Sequence, residues 1–240
     1  MKANSVLARK VVEEETELIK RCKDLEYRVF LDEDYIKPNE EEELLDYKEY
    51  PNYYFIAAFA DDKLVGCWRN IYEPDKKRMD EGVFPTIDSG LVISRGFDVE
   101  GYNEHAQKTR KDDKLLIYED QYEKMMKLDP RKTVDMCSAA ILKEHRTGDV
   151  SKALFSKVLT SALEMPPIRH GLGVPDTRWY EKIVERGYPL EPLGPSTFYW
   201  GSESTPIYVD FFAVPKGIQK LAIPIYRTKG YFTKAFGIFK

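Results

Sequence analysis

Residues 133–163 read TVDMCSAAILKEHRTGDVSKALFSKVLTSAL. The first ten, Thr133 to Leu142, form a nearly continuous apolar run of the kind that a strand buried on both faces requires. Arg146-Thr147-Gly148-Asp149 breaks the run, and Phe155, Val158, Leu159, Ala162 and Leu163 then recur at helical spacing. A central strand therefore turns through a short polar loop into an amphipathic helix, which Pro166-Pro167 ends. Strand, turn and helix in that order place the chain among α/β folds.

Working outward towards the N-terminus, Tyr53–Ala60 and Lys63–Tyr72 are extended, aromatic and apolar runs joined by the tight turn Asp61-Asp62, an antiparallel hairpin. Leu18, Cys22, Leu25 and Val29 step by three and four, which predicts a helix over residues around 6–30 with one buried stripe. An acidic tract, Asp32 to Asp46, follows, and Glu40-Glu41-Glu42-Glu43 reads as the solvated first turn of a helix. Residues 73–132, charged and glycine-bearing with a helix expected near 112–128, are an insertion or cover between strands. After the central unit, a short strand over Ile168 to Val174 leads to a helix around Trp179–Arg186 that Gly187 stops, then to extended aromatic segments.

With 240 residues, 42% of them apolar, the chain is long enough for one well-filled core, so a single domain over 1–240 is expected, with 211–240 as a C-terminal extension. A formal charge of −4 offers no broad attraction to nucleic acid or anionic lipid. Cys22, Cys67 and Cys137 are far apart, outside any CxxC or Cys/His cluster, and read as buried reduced thiols. His105, His145 and His170 lack ligand spacing, so no metal is expected. MKANSVLARKVVEEE is not a secretory signal and no run approaches a membrane span, which predicts a soluble, cytoplasmic protein.

Successive short motifs carry a resemblance. Tyr27-Arg28-Val29-Phe30, the carboxylate Asp46, Val65-Gly66-Cys67-Trp68-Arg69, and Asp135-Met136-Cys137-Ser138 leading to His145-Arg146 resemble, in order, the motifs of acyl-homoserine-lactone synthases and long-chain N-acyl amino acid synthases. Tyr180-Glu181-Lys182-Ile183, Arg186-Gly187-Tyr188-Pro189-Leu190, Gly194 and Pro206-Ile207-Tyr208-Val209-Asp210 are more similar to the second group. The resemblance spans residues 18–212. It implies a GNAT-type acyltransferase fold, a mixed central sheet flanked by helices with an insertion between strands. The activity it implies is transfer of a fatty acyl group from a carrier-bound thioester to the amino group of an amino acid or small amine.

On that resemblance Asp135 and Tyr180 stand where catalytic groups stand, the first to hold or deprotonate the amine and the second to protonate the departing thiolate. Their alternatives are a strand-end carboxylate paired with an arginine and a core tyrosine beside Trp179. Arg28 and Arg69 would clamp a substrate carboxylate or fix Asp46 and Asp135 in an internal ion-pair network. Phe30 would wall the pocket or belong to the core. Arg146, Thr147 and Gly148 would hold the acyl donor.

The departures from the pattern are informative. Coenzyme A binders carry Arg/Gln-x-x-Gly-x-Gly/Ala at this turn, whereas Arg146-Thr147-Gly148-Asp149-Val150-Ser151 has its glycine one place early and an aspartate that repels a pyrophosphate. That favours the single phosphate of a phosphopantetheine arm on an acyl carrier protein, as co-substrate rather than tightly bound cofactor. Ser138 occupies the place of an arginine, and Leu31 to Pro38 lacks a tryptophan, so an unmodified amino acid or amine fits better than S-adenosylmethionine. The rival expectations are an acetyl-coenzyme A dependent N-acetyltransferase and a non-catalytic acyl-carrier-binding member of the fold. The basic, aromatic tail after Asp210 would dock the acidic carrier or lie on a membrane interface.

Overall fold

A computed structural model of the chain describes residues 6–36, 53–72, 91–94, 98–109, 114–146, 148–165 and 168–213. Asp46, the glutamate run at 40–43, Thr147, Pro166-Pro167 and the tail from 214 onward lie outside the described residues.

The hairpin forms as its sequence dictates. Strands β2 (Tyr53–Ala60) and β3 (Lys63–Ile71) pair antiparallel with Ala60 opposite Lys63. Asp61 and Asp62 both take positive φ, 49° and 61°, the two-residue turn whose twist matches that of the strands. The segment before it departs from the expected helix. Val6–Lys10 is an edge strand, β1, on β2, and helix α1 (Thr16–Asp32) begins ten residues later than the strand does. A short apolar run such as Val6-Leu7-Ala8 fits either period, and pairing with β2 decides it.

The expected continuous central strand is two strands: β6 (Thr133–Asp135) and β7 (Ala139–Ile141). Helix α4 (Gly148–Glu164) follows, then β8 (His170–Gly173), α5 (Thr177–Glu185), β9 (Glu191–Pro192), the hairpin β10 (Thr197–Tyr199) and β11 (Ser202–Ser204), and β12 (Ile207–Asp210). The main sheet runs β1-β2-β3-β6-β8-β12-β9, with β7 also on β3. It is mixed: β6 and β8 are parallel and the other pairs antiparallel.

Alternation along β2 and β3 sends side chains to two helical layers. Phe55, Ala57 and Cys67 meet Leu18, Cys22, Leu25 and Val29 of α1. Ile56, Ala58 and Trp68 meet Leu154, Phe155, Val158 and Leu159 of α4. Each large apolar side chain so buried contributes about 1.5–3 kcal/mol. Within the insertion, β4 (Leu91–Ser94) pairs in parallel with β5 (Leu115–Tyr118), with α2 (Val99–Thr109) before β5 and α3 (Glu119–Met126) after it. A strand therefore occupies the start of the expected 112–128 helix. Leu115, Ile117 and Met125 pack with Leu172, Leu193, Tyr199 and Tyr208 at the far end of the sheet.

Candidate functional site

The break in the central strand opens the sheet. β6 runs beside β8 from Thr133↔His170 to Asp135↔Leu172, and the Met136 N–H donates to the Leu172 carbonyl at 2.7 Å. β7 instead stays on β3, from Trp68↔Ala139 to Gly66↔Ile141, with the Leu142 N–H on the Val65 carbonyl at 3.0 Å. Ile71 opposes Asp135 but Trp68 opposes Ala139, so the path through 136–138 holds one residue more than β3 does. That is a bulge, which bends its strand and re-aims side chains. β7 and the chain beyond β8 diverge from it. A cavity of about 590 Å³ fills the gap, with Met136, Cys137, Ser138 and Ala139 on one wall and Gly173, Val174 and Pro175 on the other.

A buried ionic cluster lies beneath it. Arg69 on β3 is 3% exposed and Glu26 on α1 is 1% exposed, with the Arg69 Nε 3.4 Å from Glu26 Oε1. The Ser138 hydroxyl donates to the same carboxylate oxygen. The Arg69 N–H donates to the Ser138 carbonyl at 2.8 Å, and its Nη2 donates to Cys137 Sγ at 3.3 Å. Arg69, Cys137 and Ser138 are all among the residues that line the cavity. Cys137 is only half-buried there, unlike Cys22 and Cys67 and unlike the expectation of three buried thiols.

The end of α1 supplies a second wall. Asp34 takes φ 59°, the Asp34 N–H donates to the Leu31 carbonyl and the Tyr35 N–H to that of Phe30, the paired bonds of a Schellman end. The reversal brings Tyr35 edge-on to Phe30 at 5.5 Å, and both rings line the cavity. Burial, then the neighbouring Glu33 and Asp176 carboxylates, hold the Tyr35 phenol above its ordinary pKa, so it remains a neutral hydroxyl. Opposite, Trp68, Phe155 and Trp179 form an aromatic block with centroids 5.1–5.8 Å apart, and the Trp179 indole donates to Ser151 Oγ at 2.9 Å.

The rim is charged. Asp176 caps α5 by accepting from the Arg178 and Trp179 amides. Arg178 and Lys182, four residues apart on that helix, are exposed and line the cavity, and among the described residues neither is in an ion pair. Arg146 bridges two elements, donating from Nη1 to Glu33 at 2.7 Å and from Nε to the Ile141 carbonyl at 3.1 Å.

The residues singled out from sequence therefore fall into two groups. Phe30, Arg69, Ser138 and Arg146 converge on the cavity. Arg28 is exposed on α1, Asp135 is buried opposite Ile71 within the sheet, Gly148 starts α4, and Tyr180 packs against the α4-side core; none of these four lines it. Burial, then Glu181, raises the Tyr180 phenol above its ordinary value. Asp46 and Thr147 lie outside the described residues. Sequence reasoning missed Glu26, Tyr35, Cys137, Trp179, Arg178, Lys182, Tyr199 and Trp200. For Glu26 a signal existed: it stands four residues after Cys22 and three before Val29, on the buried side of the helix.

No family model and no curated protein matches the chain. Solved structures do. The CoA-dependent acyl-homoserine lactone synthase BjaI, with MTA, superposes at a TM-score of 0.53 and 15% identity, covering 92% of this chain and 88% of that one. The AHL synthase LasI superposes at 0.53 and 11% identity, covering 87% and 91%. FeeM, an N-acyl amino acid synthase from uncultured soil microbes, gives 0.49 and 13%, covering 88% and 93%. At such identities the likeness is one of architecture, and it is the architecture built above: a mixed eight-stranded sheet between helices, the GNAT-type acyltransferase fold in the form found in the acyl-homoserine lactone synthases.

Proposed function

We propose that this chain is an N-acyltransferase that moves a fatty acyl group from a phosphopantetheine thioester on an acyl carrier protein to the amino group of an amino acid or small amine. The observation that carries the reading is the opening between β7 and β8, with a bulge on one wall and buried polar groups beneath. A pantetheine arm is a thin chain of amides, and the two diverging strand edges offer it the backbone groups they no longer offer each other. The thioester would then stand at Met136–Ser138, where a backbone N–H can meet the carbonyl oxygen as charge develops. Exposed Arg178 and Lys182, with Arg146 nearby, suit the arm's phosphate. The apolar walls, Val29, Phe30, Trp68, Leu154 and Ile207 among them, suit an acyl chain. BjaI is described with isopentyl-CoA, so carrier and coenzyme A must be compared directly.

The test is turnover by the purified chain of matched long-chain acyl-carrier and acyl-coenzyme A thioesters, and acetyl-coenzyme A, against pooled amino acids and amines, read by mass spectrometry. N-acyl product made fastest from the long-chain carrier thioester is expected. Equal or better turnover of acetyl-coenzyme A would overturn the donor assignment, and absence of any N-acyl product would overturn the reaction.

A further inference from the structure

We infer that Ser138 and Glu26 form a closed proton shuttle that carries the proton lost by the attacking nitrogen to the departing sulfur. The inference rests on the acyl-transfer reading above and assigns it a residue, Glu26, outside every motif that suggested it.

Aminolysis of a thioester by a neutral amine needs no net acid or base, only movement of one proton. The nitrogen lone pair forms the C–N bond and the carbonyl electrons move to oxygen. When the tetrahedral adduct collapses, the C–S bond breaks with its pair on sulfur. Nitrogen must lose one proton and sulfur must gain one. A group that accepts the first and returns it for the second balances the reaction without exchange with water.

Ser138 and Glu26 have the geometry for this. A carboxylate only accepts, so the Ser138 hydroxyl gives its hydrogen to Glu26 Oε1 and its oxygen is left as an acceptor. That oxygen belongs to a residue on the cavity wall, within the bulge where the thioester would stand. A proton arriving from nitrogen onto Ser138 Oγ displaces the hydroxyl proton onto Glu26. At 1% exposure Glu26 does not meet solvent directly, and the proton it holds returns through Ser138 to the thiolate. Arg69, with Nε 3.4 Å from Oε1, holds the carboxylate in place. The other carboxylates on the wall are engaged, Glu33 with Arg146 and Asp176 with the first amides of α5. Asp135 and Tyr180 do not line the cavity. Ser138 would touch the reacting atoms; Glu26 acts through it.

Leaving-group dependence separates a shuttle from a structural role. With an alkyl thioester such as the N-acetylcysteamine ester, Ser138→Ala is expected to lower kcat by about 10²-fold or more with little change in KM. With the matching 4-nitrothiophenyl ester, whose thiolate leaves without a proton, the same variant is expected to lose at least about ten-fold less. Glu26→Gln should show the same asymmetry. An unchanged rate in Ser138→Ala, or an equal loss with both esters, overturns the shuttle while the acyl-transfer reading stands. If wild type makes no N-acyl product from either ester, the reading falls and takes the shuttle with it.

Discussion

Taking the Glu26 carboxylate and the Arg69 guanidinium out of water costs each several kcal/mol, which their attraction repays only when further hydrogen bonds satisfy both. Here Ser138 supplies one bond to Glu26, and Cys137 receives one from Arg69. Removing one partner strands the other, so Arg69→Met is expected to destabilise the fold by about 3–5 kcal/mol. The double variant Glu26→Leu/Arg69→Met, with no charge left to strand, should recover most of that loss in chemical denaturation. A double variant as unstable as the single one would show that the two charges are not coupled. The sequence showed Arg69 plainly, as a charge within an extended apolar run, but left clamp and network open. The structure places the Arg69 guanidinium beside Glu26, an anion that neither reading named. The spacing of Glu26 from Cys22 and Val29 marked its face, but one glutamate among Lys23, Asp24, Tyr27 and Arg28 is read with the solvated side.

Elements were legible where local chemistry alone decides them and illegible where pairing does. Asp61-Asp62 between two apolar runs admits only a tight hairpin, and the Gly187 stop, φ 83°, needs no partner to form. The break between β6 and β7 left no such mark, since Met136-Cys137-Ser138 is as compatible with a strand as its neighbours. Only the divergence of β8 from β7 requires the extra residue. The insertion was equally opaque, because its β5 is held by contacts far along the chain. One of them is severe: a Cβ on Gly194 would stand 1.8 Å from the Leu116 carbonyl oxygen, a backbone atom that no rotamer change can move. The same junction carries the Tyr118 N–H to the Leu193 carbonyl at 2.9 Å. Gly194→Ala is therefore expected to part β5 from the main sheet, at a cost on the order of 1–3 kcal/mol. Hydrogen exchange should show faster loss of protection at Leu115–Ile117 than in the β2–β3 hairpin. Uniform protection across both would mean that the junction does not hold the insertion.

At the scale of the whole molecule the electrostatics are uneven, and the unevenness bears on the donor. The chain carries a formal −4, yet Arg178 and Lys182 stand unneutralised at the cavity rim among the described residues. After Asp210 the sequence holds no acidic residue, while Lys216, Lys220, Arg227, Lys229, Lys234 and Lys240 alternate with aromatic and aliphatic side chains. Most of that tail, from residue 214 onward, lies outside the described residues. An acidic carrier protein, the donor proposed above, would be repelled on average by a net-negative chain and must be steered by local positive charge, an interaction that salt screens over ~10 Å at 0.1 M. A short pantetheine thioester carries no such surface and gains nothing from steering. If the tail contributes, deleting residues 227–240 should raise KM for the acyl-carrier thioester and flatten its dependence on ionic strength, leaving turnover of the short thioester as it was. Membrane contact by the same residues predicts the opposite pattern, a truncated chain that no longer binds anionic vesicles but keeps the carrier KM and its salt dependence. Carrier kinetics that truncation leaves untouched would remove the tail from donor recognition and leave steering to the cations on α5.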